Sequence, residues 1–573
     1  MLLAPHEDDV LAGAKERLRA AFGHASWAVE LEGAHALPPA ALHLARLACM
    51  VEDELYRASA PPTAGGEPTA VEFVSAANER RALLLLRDRL SGDAMSSHDA
   101  SRDVQAKLAA FVRGGPPPRS PAPSTLAPSS AGHDAQLTEL ASVLRISHAV
   151  RIVSVENAGR GLVAARALTT GDTVLSVPVD QLVSARAACT DEPWLRAALG
   201  AINEGEWTAQ LRLMIVVIRE RRRAEASRWR AWLRSLPPVT ADCAQWSDEA
   251  CARLPPSAYW LRHALIAELD EFREGLLPQL CAAHPQLFSD GPPSSPEWRW
   301  ARGVVATRAI ELHLATLGAG DAPMGAEAAA EGEVEGEAAA EPAIVPLMDM
   351  LNHSPRAQLE HRVCRMAGAA CTLELRSIAP VGADEPLSLD YGSRLGAAEL
   401  LLQHGVPPGA VEGADVLVAV QLPPEGAEGA CIAGALLLAQ LTPGGADTHW
   451  LSEREPLPAP LLLAARLCVL VEGEMSAAKR AFAHRAVSDR NERHALLVLR
   501  KAIVEQLSPP GASADAAGDA GGAAAVAGLQ TDANAHPPPA VSRAIDAYCD
   551  AHERICFAAL ARVEAMLERV GAA

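Results

Sequence analysis

Several things are scarce in this chain, and each scarcity excludes something. Eleven cysteines are scattered over 573 residues without a Cys-x-x-Cys pair or a Cys/His grouping at zinc spacing. The nearest neighbours, Cys364 with Cys371 and Cys549 with Cys556, are seven apart, so no metal is expected. They read as small buried hydrophobes in a reducing compartment. Positive charge is also short. Against 71 Asp and Glu stand 51 Lys and Arg, a net charge of −20, which argues against a protein that grips a phosphate backbone. Nucleic acid is therefore not an expected partner. The one dense basic run, Arg219 to Arg230, also holds Glu220 and Glu225 and reads as a solvated helix face. No apolar run reaches membrane-spanning length, and the longest, near Cys431 to Leu441, is diluted by Ala and Gly. The amino terminus turns acidic at Glu7-Asp8-Asp9, unlike a secretory signal or an Arg-rich transit peptide. A cytoplasmic or nuclear location with no membrane association is the expectation, with a plastid left open.

Three stretches lack the bulky apolar surface needed to offset their ordering entropy. They are the Pro/Ser/Ala segment 114–136, the Ala/Gly/Glu segment 318–342 and the Ala/Gly/Asp/Pro segment 508–540. We read the first as a disordered linker, the second as an acidic surface loop and the third as a disordered loop. The flanks contain an internal repeat. Asn78 to Arg87 matches Asn491 to Arg500 at eight of ten positions, and Leu37 to Glu54 matches Leu457 to Glu474 at nine of eighteen. Apolar spacing is helical in both copies. Shared Asn-Glu-Arg does not follow from Ala/Leu-rich composition.

Between the flanks, residues 148–188 read as strands, residues 192–316 are dominated by helical periodicity, and strand signals return from Ala343 to Leu389. A helix is expected from about Ala397 to Gln403. Four short motifs occur in order across this region: Asn157-Ala158-Gly159-Arg160-Gly161-Leu162; Trp300-Ala301 with Arg308; Asp349-Met350-Leu351-Asn352-His353-Ser354; and Asp390-Tyr391-Gly392. Singly, each has a plain structural explanation: a glycine turn, a helix-surface arginine, a polar turn, a strand-end tyrosine. Gly159 and Gly161 also let the backbone approach a ligand and offer unhindered N–H and C=O groups.

The ordered set, with Ser227 to Pro237 inside the helical stretch and Leu457 to Met566 beyond it, resembles the SET-domain branch typified by the Rubisco large-subunit lysine methyltransferases. The resemblance covers roughly 148–573. It implies an α+β fold: a β-rich SET core at 140–410 with a helical insertion at about 190–300, flanked by all-α domains. Residues 1–113 would be a helical domain resembling part of the carboxyl-terminal one, and 411–573 the helical domain that binds the protein substrate. The implied activity is S-adenosylmethionine-dependent protein-lysine N-methyl transfer by a monomer. The implied cofactor contacts are Ala158, Gly159 and Arg160 through backbone, Asn352 and His353 at the adenine and amino-acid ends, Arg308 at the carboxylate, and Asp349 holding the loop or the cofactor. Tyr391 is the expected catalytic residue at the mouth of a lysine channel with Ile310 and Met348.

Some positions depart from the family pattern. Leu395-Gly396-Ala397 stands where relatives have Ser-Asn, Asp384 precedes Glu385 where they have Gly, and their Tyr-Gly-Phe is His404-Gly405-Val406 here. Val406 thus occupies the place of an aromatic expected near the adenine. A histidine-methylating branch carries Trp and Asn where this chain has Met348 and Ile310, and the apolar pair favours a lysine stem over an imidazole. A protein-histidine methyltransferase is one alternative. A non-catalytic SET-fold or helical-repeat binding protein is the other.

Overall fold

The computed structural model describes residues 1–6, 9, 11–22, 24–29, 37–51, 54–55, 75–92, 98–113, 126–127, 131–155, 159–202, 208–312, 340–364, 371–391, 396–411, 415–422, 431, 448–482, 485–508 and 537–572. The core strands in chain order are β1 (Leu126–Ala127), β2 (Ser147–His148), β3 (Val150–Val155), β4 (Gly159–Ala164), β5 (Thr173–Pro178), β6 (Ala309–Leu312), β7 (Glu341–Ile344), β8 (Asn352–His353), β9 (Leu359–Cys364), β10 (Thr372–Ser377) and β11 (Pro386–Leu389). They form a five-stranded sheet ordered β1-β3-β4-β11-β8, a four-stranded sheet ordered β2-β5-β10-β9 and a β6–β7 ribbon. β-branched and leucine side chains such as Ile152, Leu162, Val174, Val177 and Leu375 bury the inner faces, the period-2 pattern that defines half-buried strands.

Helices run from Ala185 to Arg308 between β5 and β6, the insertion expected at 190–300. Its basic run is consumed internally. Arg219 pairs with Glu192 and Glu220, Arg222 with Glu297, and Arg221 lies 3.9 Å over the Trp300 ring. The middle of the insertion also belongs to another core: Cys243, Trp246, Cys251 and Leu254 pack with Leu401, Leu467, Leu496 and Tyr548. The 410/411 boundary read from sequence is therefore crossed by packing. The carboxyl-terminal unit carries a strand pair, β12 (Val418–Gln421) with β13 (Thr448–Leu451), where only helix was expected.

Other boundaries need correction. Within the segment read as linker, Leu126–Ala127 pairs with β3, and a helix over Ala131–Val143 starts before the segment's end at 136. Leu137 and Leu140 of that helix, with Leu144 just beyond it, sit in the central core, and this anchoring offsets the poor apolar content before them. At the far ends of the other two stretches, Glu341 opens β7 and a helix spans Pro539–Ala572. Residues 318–339 of the acidic loop and 509–536 of the Ala/Gly/Asp loop lie outside the described residues.

The repeat is written in side chains as well as helices. In the first copy, Asn78 donates to the Arg46 carbonyl (3.0 Å), Arg46 grips Glu79 (2.6 and 2.9 Å), and the Asn78 amide donates to Ser75 Oγ (2.9 Å). In the second, Asn491 donates to the Arg466 carbonyl (2.9 Å), Arg466 grips Glu492 (2.7 and 2.7 Å), and the Asn491 amide donates to Ser488 Oγ (3.0 Å). Ser75 bonds Glu54 and Ser488 bonds Glu474 in the same way. The polar identities that betray the repeat are the members of this network.

Candidate active site

β8 and β11 run parallel, with Ser388 opposite Asn352 and Leu389 opposite His353. The chain leaving β11 therefore passes His353, and the Tyr391 amide donates to His353 Nδ1 at 3.1 Å. An accepting Nδ1 places the imidazole proton on Nε2. Burial, seconded by the Arg80 charge, holds the His353 pKa below its ordinary value despite Asp390, whose Oδ1 is 3.8 Å away. The Tyr391 hydroxyl donates to the Leu351 carbonyl at 2.5 Å. Burial pushes that phenol up to about 12, with Asp349 raising it further and Arg308 opposing. Tyr391 is thus a neutral, oriented hydroxyl whose oxygen still has lone pairs to offer, not a base.

The neighbouring corner is built on Asp349, whose carboxyl side chain is fully buried. It follows Leu347, a buried leucine at φ 76° and ψ −45°, a conformation costing roughly 1–3 kcal/mol for a residue with a side chain. Trp232 Nε1 donates to Asp349 Oδ2 at 3.0 Å, and Arg308 Nη1 donates to Oδ2 at 3.2 Å and to the Asp349 carbonyl at 2.9 Å. Arg308 ends the Ser295–Arg308 helix, where a cation meets the negative end of the dipole. Arg308 Nε and Asp349 Oδ1 are buried without a hydrogen-bond partner among the described residues.

β4 opens beside this corner. Gly159 has φ 74°, and a Cβ there would meet nothing within 4 Å, so its flank is open. Gly161 is the reverse: a Cβ would come within 2.8 Å of Val155 Cγ2 and 2.9 Å of Asn352 Nδ2, so only glycine lets β4 lie against Asn352. The Arg160 side chain turns away, donating to Gln136 Oε1 (3.1 Å) and to the Ser235 carbonyl. Its main chain remains as the usable surface. Burial lowers the Arg160 pKa, with the Arg308 charge adding to this and Asp349 opposing.

The structure thus gathers Gly159, Arg160, Gly161, Arg308, Asp349, Asn352, His353 and Tyr391 around one corner. Ala158 lies outside the described residues, as do Gly392 and Leu395. Met348 is buried next to Asp349, and half-buried Ile310 lies two residues after Arg308 on β6. Val406 is half-buried, its amide donating to the Leu400 carbonyl at 3.2 Å at a helix end. The ring near the site belongs instead to His404, with its centroid 4.7 Å from that of Tyr391 and the planes 39° apart. Burial, with the charges of His353, Arg302 and Arg308, drives the His404 pKa down to about 3.

Sequence reasoning missed His404, Trp232 and one more residue. Arg80 of the first repeat copy reaches Asp390 Oδ2 at 3.2 Å. His404 had a usable signal, an aromatic-sized residue two positions before the substituted Val406. Trp232 and Arg80 had none, because their partners are 117 and 310 residues away. At Asp384, which replaces a family glycine, φ is 64°, so the left-handed turn persists without glycine. Among the described residues, no group of His, Cys, Asp and Glu could hold a metal ion, and no helix is long and apolar enough to cross a membrane.

No protein-family model matches the chain. Among curated proteins it is similar to the chloroplastic ribulose-1,5-bisphosphate carboxylase/oxygenase large subunit N-methyltransferase of Pisum sativum, 26% identical over 264 residues, 44% of this chain and 46% of that protein. It is also similar to the chloroplastic [fructose-bisphosphate aldolase]-lysine N-methyltransferase of Arabidopsis thaliana, 24% identical over 256 residues, 43% of this chain and 46% of that protein. The match spans about half the length of each relative. Among solved structures, the SET domain of LSMT bound to MeLysine and AdoHcy superposes with a TM-score of 0.53 at 18% identity, covering 77% of this chain and 94% of that one. Rubisco LSMT bound to AdoMet gives 0.52 at 18% identity over 77% and 93%.

Proposed function

We propose, for a chain whose fold is the SET fold of the Rubisco-LSMT-like branch, that it is a protein-lysine N-methyltransferase using S-adenosylmethionine. The observation that carries this is Tyr391. Its hydroxyl is held on the Leu351 carbonyl and its amide on His353, in the corner that also contains Asn352, Arg308 and the open flank of Gly159.

The residues present fit a ligand with one carboxylate end and one heteroaromatic end. Arg308 keeps a buried Nε without a partner among the described residues, a donor suited to a second carboxylate beside Asp349. The Gly159–Arg160 main chain, with Ala158 before it, would take backbone contacts. Asn352 would bond the adenine end, and His353 the amino-acid end. S-adenosylmethionine would supply a sulfonium-bound methyl group: a neutral amine attacks its carbon in line, the C–S bond breaks and the neutral thioether leaves. The protein's work is then positioning more than activation.

Tyr391 orients the amine and offers oxygen lone pairs toward the polarised methyl, as does the Leu351 carbonyl nearby. With its phenol pushed up to about 12, Tyr391 does not take the amine proton. That proton leaves through water before transfer, since an unperturbed lysine titrates near 10.4. Met348 and Ile310 support a lysine stem over an imidazole, and both named relatives modify proteins, one of them named as a lysine methyltransferase.

The protein substrate is assigned to the carboxyl-terminal helical unit, a monomer's docking face in this reading. In support, Leu497, Val504 and Phe557 expose 45%, 43% and 58% of their surface on helices that pack together. A helical unit at 1–113, a SET core from about 140 and a carboxyl-terminal helical unit whose packing runs across the 410/411 limit belong to the same reading, as does a cytoplasmic, nuclear or plastid location. Calorimetric titration of the purified protein with S-adenosylmethionine tests it. Saturable one-to-one binding is expected, and no detectable heat or displacement would favour a non-catalytic scaffold.

A further inference from the structure

The first repeat copy does more than resemble the second. Its Ala76–Gly92 helix lies on the SET core through one face. Arg80 and Arg87, seven residues apart on that face, meet Asp390 (3.2 Å) and Glu360 (2.7 Å). Between them Leu83, with Leu108, packs on Ile378, and the partly buried Leu84 and Phe111 close the edge. Arg356 of the core returns the contact, stacking 4.2 Å over the Phe111 ring and donating to its carbonyl at 2.5 Å. Arg80 itself is buried, and its second nitrogen donates to the Leu359 carbonyl at 3.2 Å.

Position matters here more than area. Asp390 directly precedes Tyr391, and its other oxygen is 3.8 Å from His353 Nδ1, the atom that accepts the Tyr391 amide. Arg80 therefore ties three groups of the site to a helix outside the SET core: the Asp390 carboxylate, the β9 start at Leu359, and through them the Tyr391 amide. In the second copy the equivalent residue, Arg493, is exposed to solvent. The shared network keeps both copies folded, whereas this arginine has been recruited in one of them.

We propose that the amino-terminal repeat copy is a built-in clamp on the end of β11, with Arg80 a positioning residue that holds Asp390 so that Tyr391 and His353 keep their register. A buried carboxylate deprived of its cation turns toward water or takes up a proton, and either response loosens the strand end that carries Tyr391. As far as activity is concerned, the inference rests on the methyltransferase reading above. Its structural part does not.

The test compares full-length wild type, Arg80→Met and Arg80→Lys by hydrogen–deuterium exchange and by steady-state methyl transfer. Faster exchange in the peptide covering 386–391 is expected for Arg80→Met, with the 489–506 helix unchanged as an internal control. In turnover, kcat should fall about 10²-fold, the scale of a misplaced reacting group, while KM for S-adenosylmethionine stays within about threefold. Arg80→Lys keeps the charge and should recover part of both losses; it also serves if the methionine variant does not fold. Unchanged exchange at 386–391 in both variants, or full activity of Arg80→Met, would overturn the clamp. If wild type neither binds S-adenosylmethionine nor transfers methyl, the functional reading fails, and the exchange data alone still decide the clamp.

Discussion

Replacing Asp349 by Asn keeps the shape of the side chain and removes its charge. In the structure Asp349 Oδ2 accepts from Trp232 Nε1 at 3.0 Å and from Arg308 Nη1 at 3.2 Å, and the carboxyl side chain is fully buried. Hydrogen bonds to a charged acceptor contribute about 1.5–3 kcal/mol each, against about 0.5–1.5 for a neutral one, so the two together weaken by roughly 2 kcal/mol. Arg308 is then left with Arg160 nearby and no ion-pair partner among the described residues. Breaking a buried pair in this way costs about 3–5 kcal/mol. A loss near 3 kcal/mol is expected in urea unfolding of the full chain, read from the exchange-protected amides of β8 and β11 because the chain has more than one core. Arg308→Met added to Asp349→Asn should recover part of that loss, since it removes the orphaned cation. A single variant within about 0.5 kcal/mol of wild type, or a double variant with strictly additive losses, would refute the view that this pair holds the corner together.

Two further outcomes follow from the same neighbourhood. His404 has its pKa lowered from 6.5 to about 3, so the folded state favours the neutral ring; its contribution is complete above pH 6.5 and is lost as pH falls toward 3. His404→Gln should therefore flatten the acid limb of a stability–pH profile in that window, and an unchanged limb would show that the ring is not buried against Tyr391. Gly405 has φ 64°, and a Cβ there would lie 2.8 Å from Val541 Cγ2 and 3.0 Å from Ala241 Cβ. Gly405→Ala combines about 1–2 kcal/mol of left-handed strain with overpacking between the insertion and the last helix. Thermal unfolding should show a loss of at least about 2 kcal/mol, and a neutral substitution would contradict the packing described.

Legibility in the sequence tracked the range of the interactions. The strand signal ending at Leu389 is legible because Leu387 and Leu389 of β11 alternate with polar neighbours, a signal that needs no partner. The repeat was legible because Arg46, Asn78, Glu79 and their counterparts form a local polar network whose members cannot be exchanged for other residues of similar hydropathy. The ordered motifs located the site for a related reason: Gly161 is pinned against Asn352 by a contact that tolerates no side chain. What escaped was set by tertiary partners. Nothing in Trp232 announces that it bonds Asp349, and nothing in Arg80 announces Asp390. The first turn and a half of the Ala131–Val143 helix falls inside the segment read as linker, because the leucines that anchor it, Leu137 and Leu140, come later in the chain and become core only when β3 lies beside them. His404-Gly405-Val406 reads as a lost aromatic at Val406, whereas the ring beside the site is that of His404, two residues earlier.

The central claim is that Tyr391 assists methyl transfer to lysine. The most direct measurement incubates wild type and Tyr391→Phe with isotopically labelled S-adenosylmethionine and host lysate, then maps labelled residues by mass spectrometry. Removing the hydroxyl leaves the Leu351 carbonyl without its 2.5 Å donor and takes a polar oxygen from the corner proposed to hold the transferring methyl. Label on lysine that falls about 10²-fold in the variant, with cofactor binding retained, is the expected result. Equal labelling by both proteins would contradict the role of Tyr391, and label confined to histidine would contradict the choice of lysine.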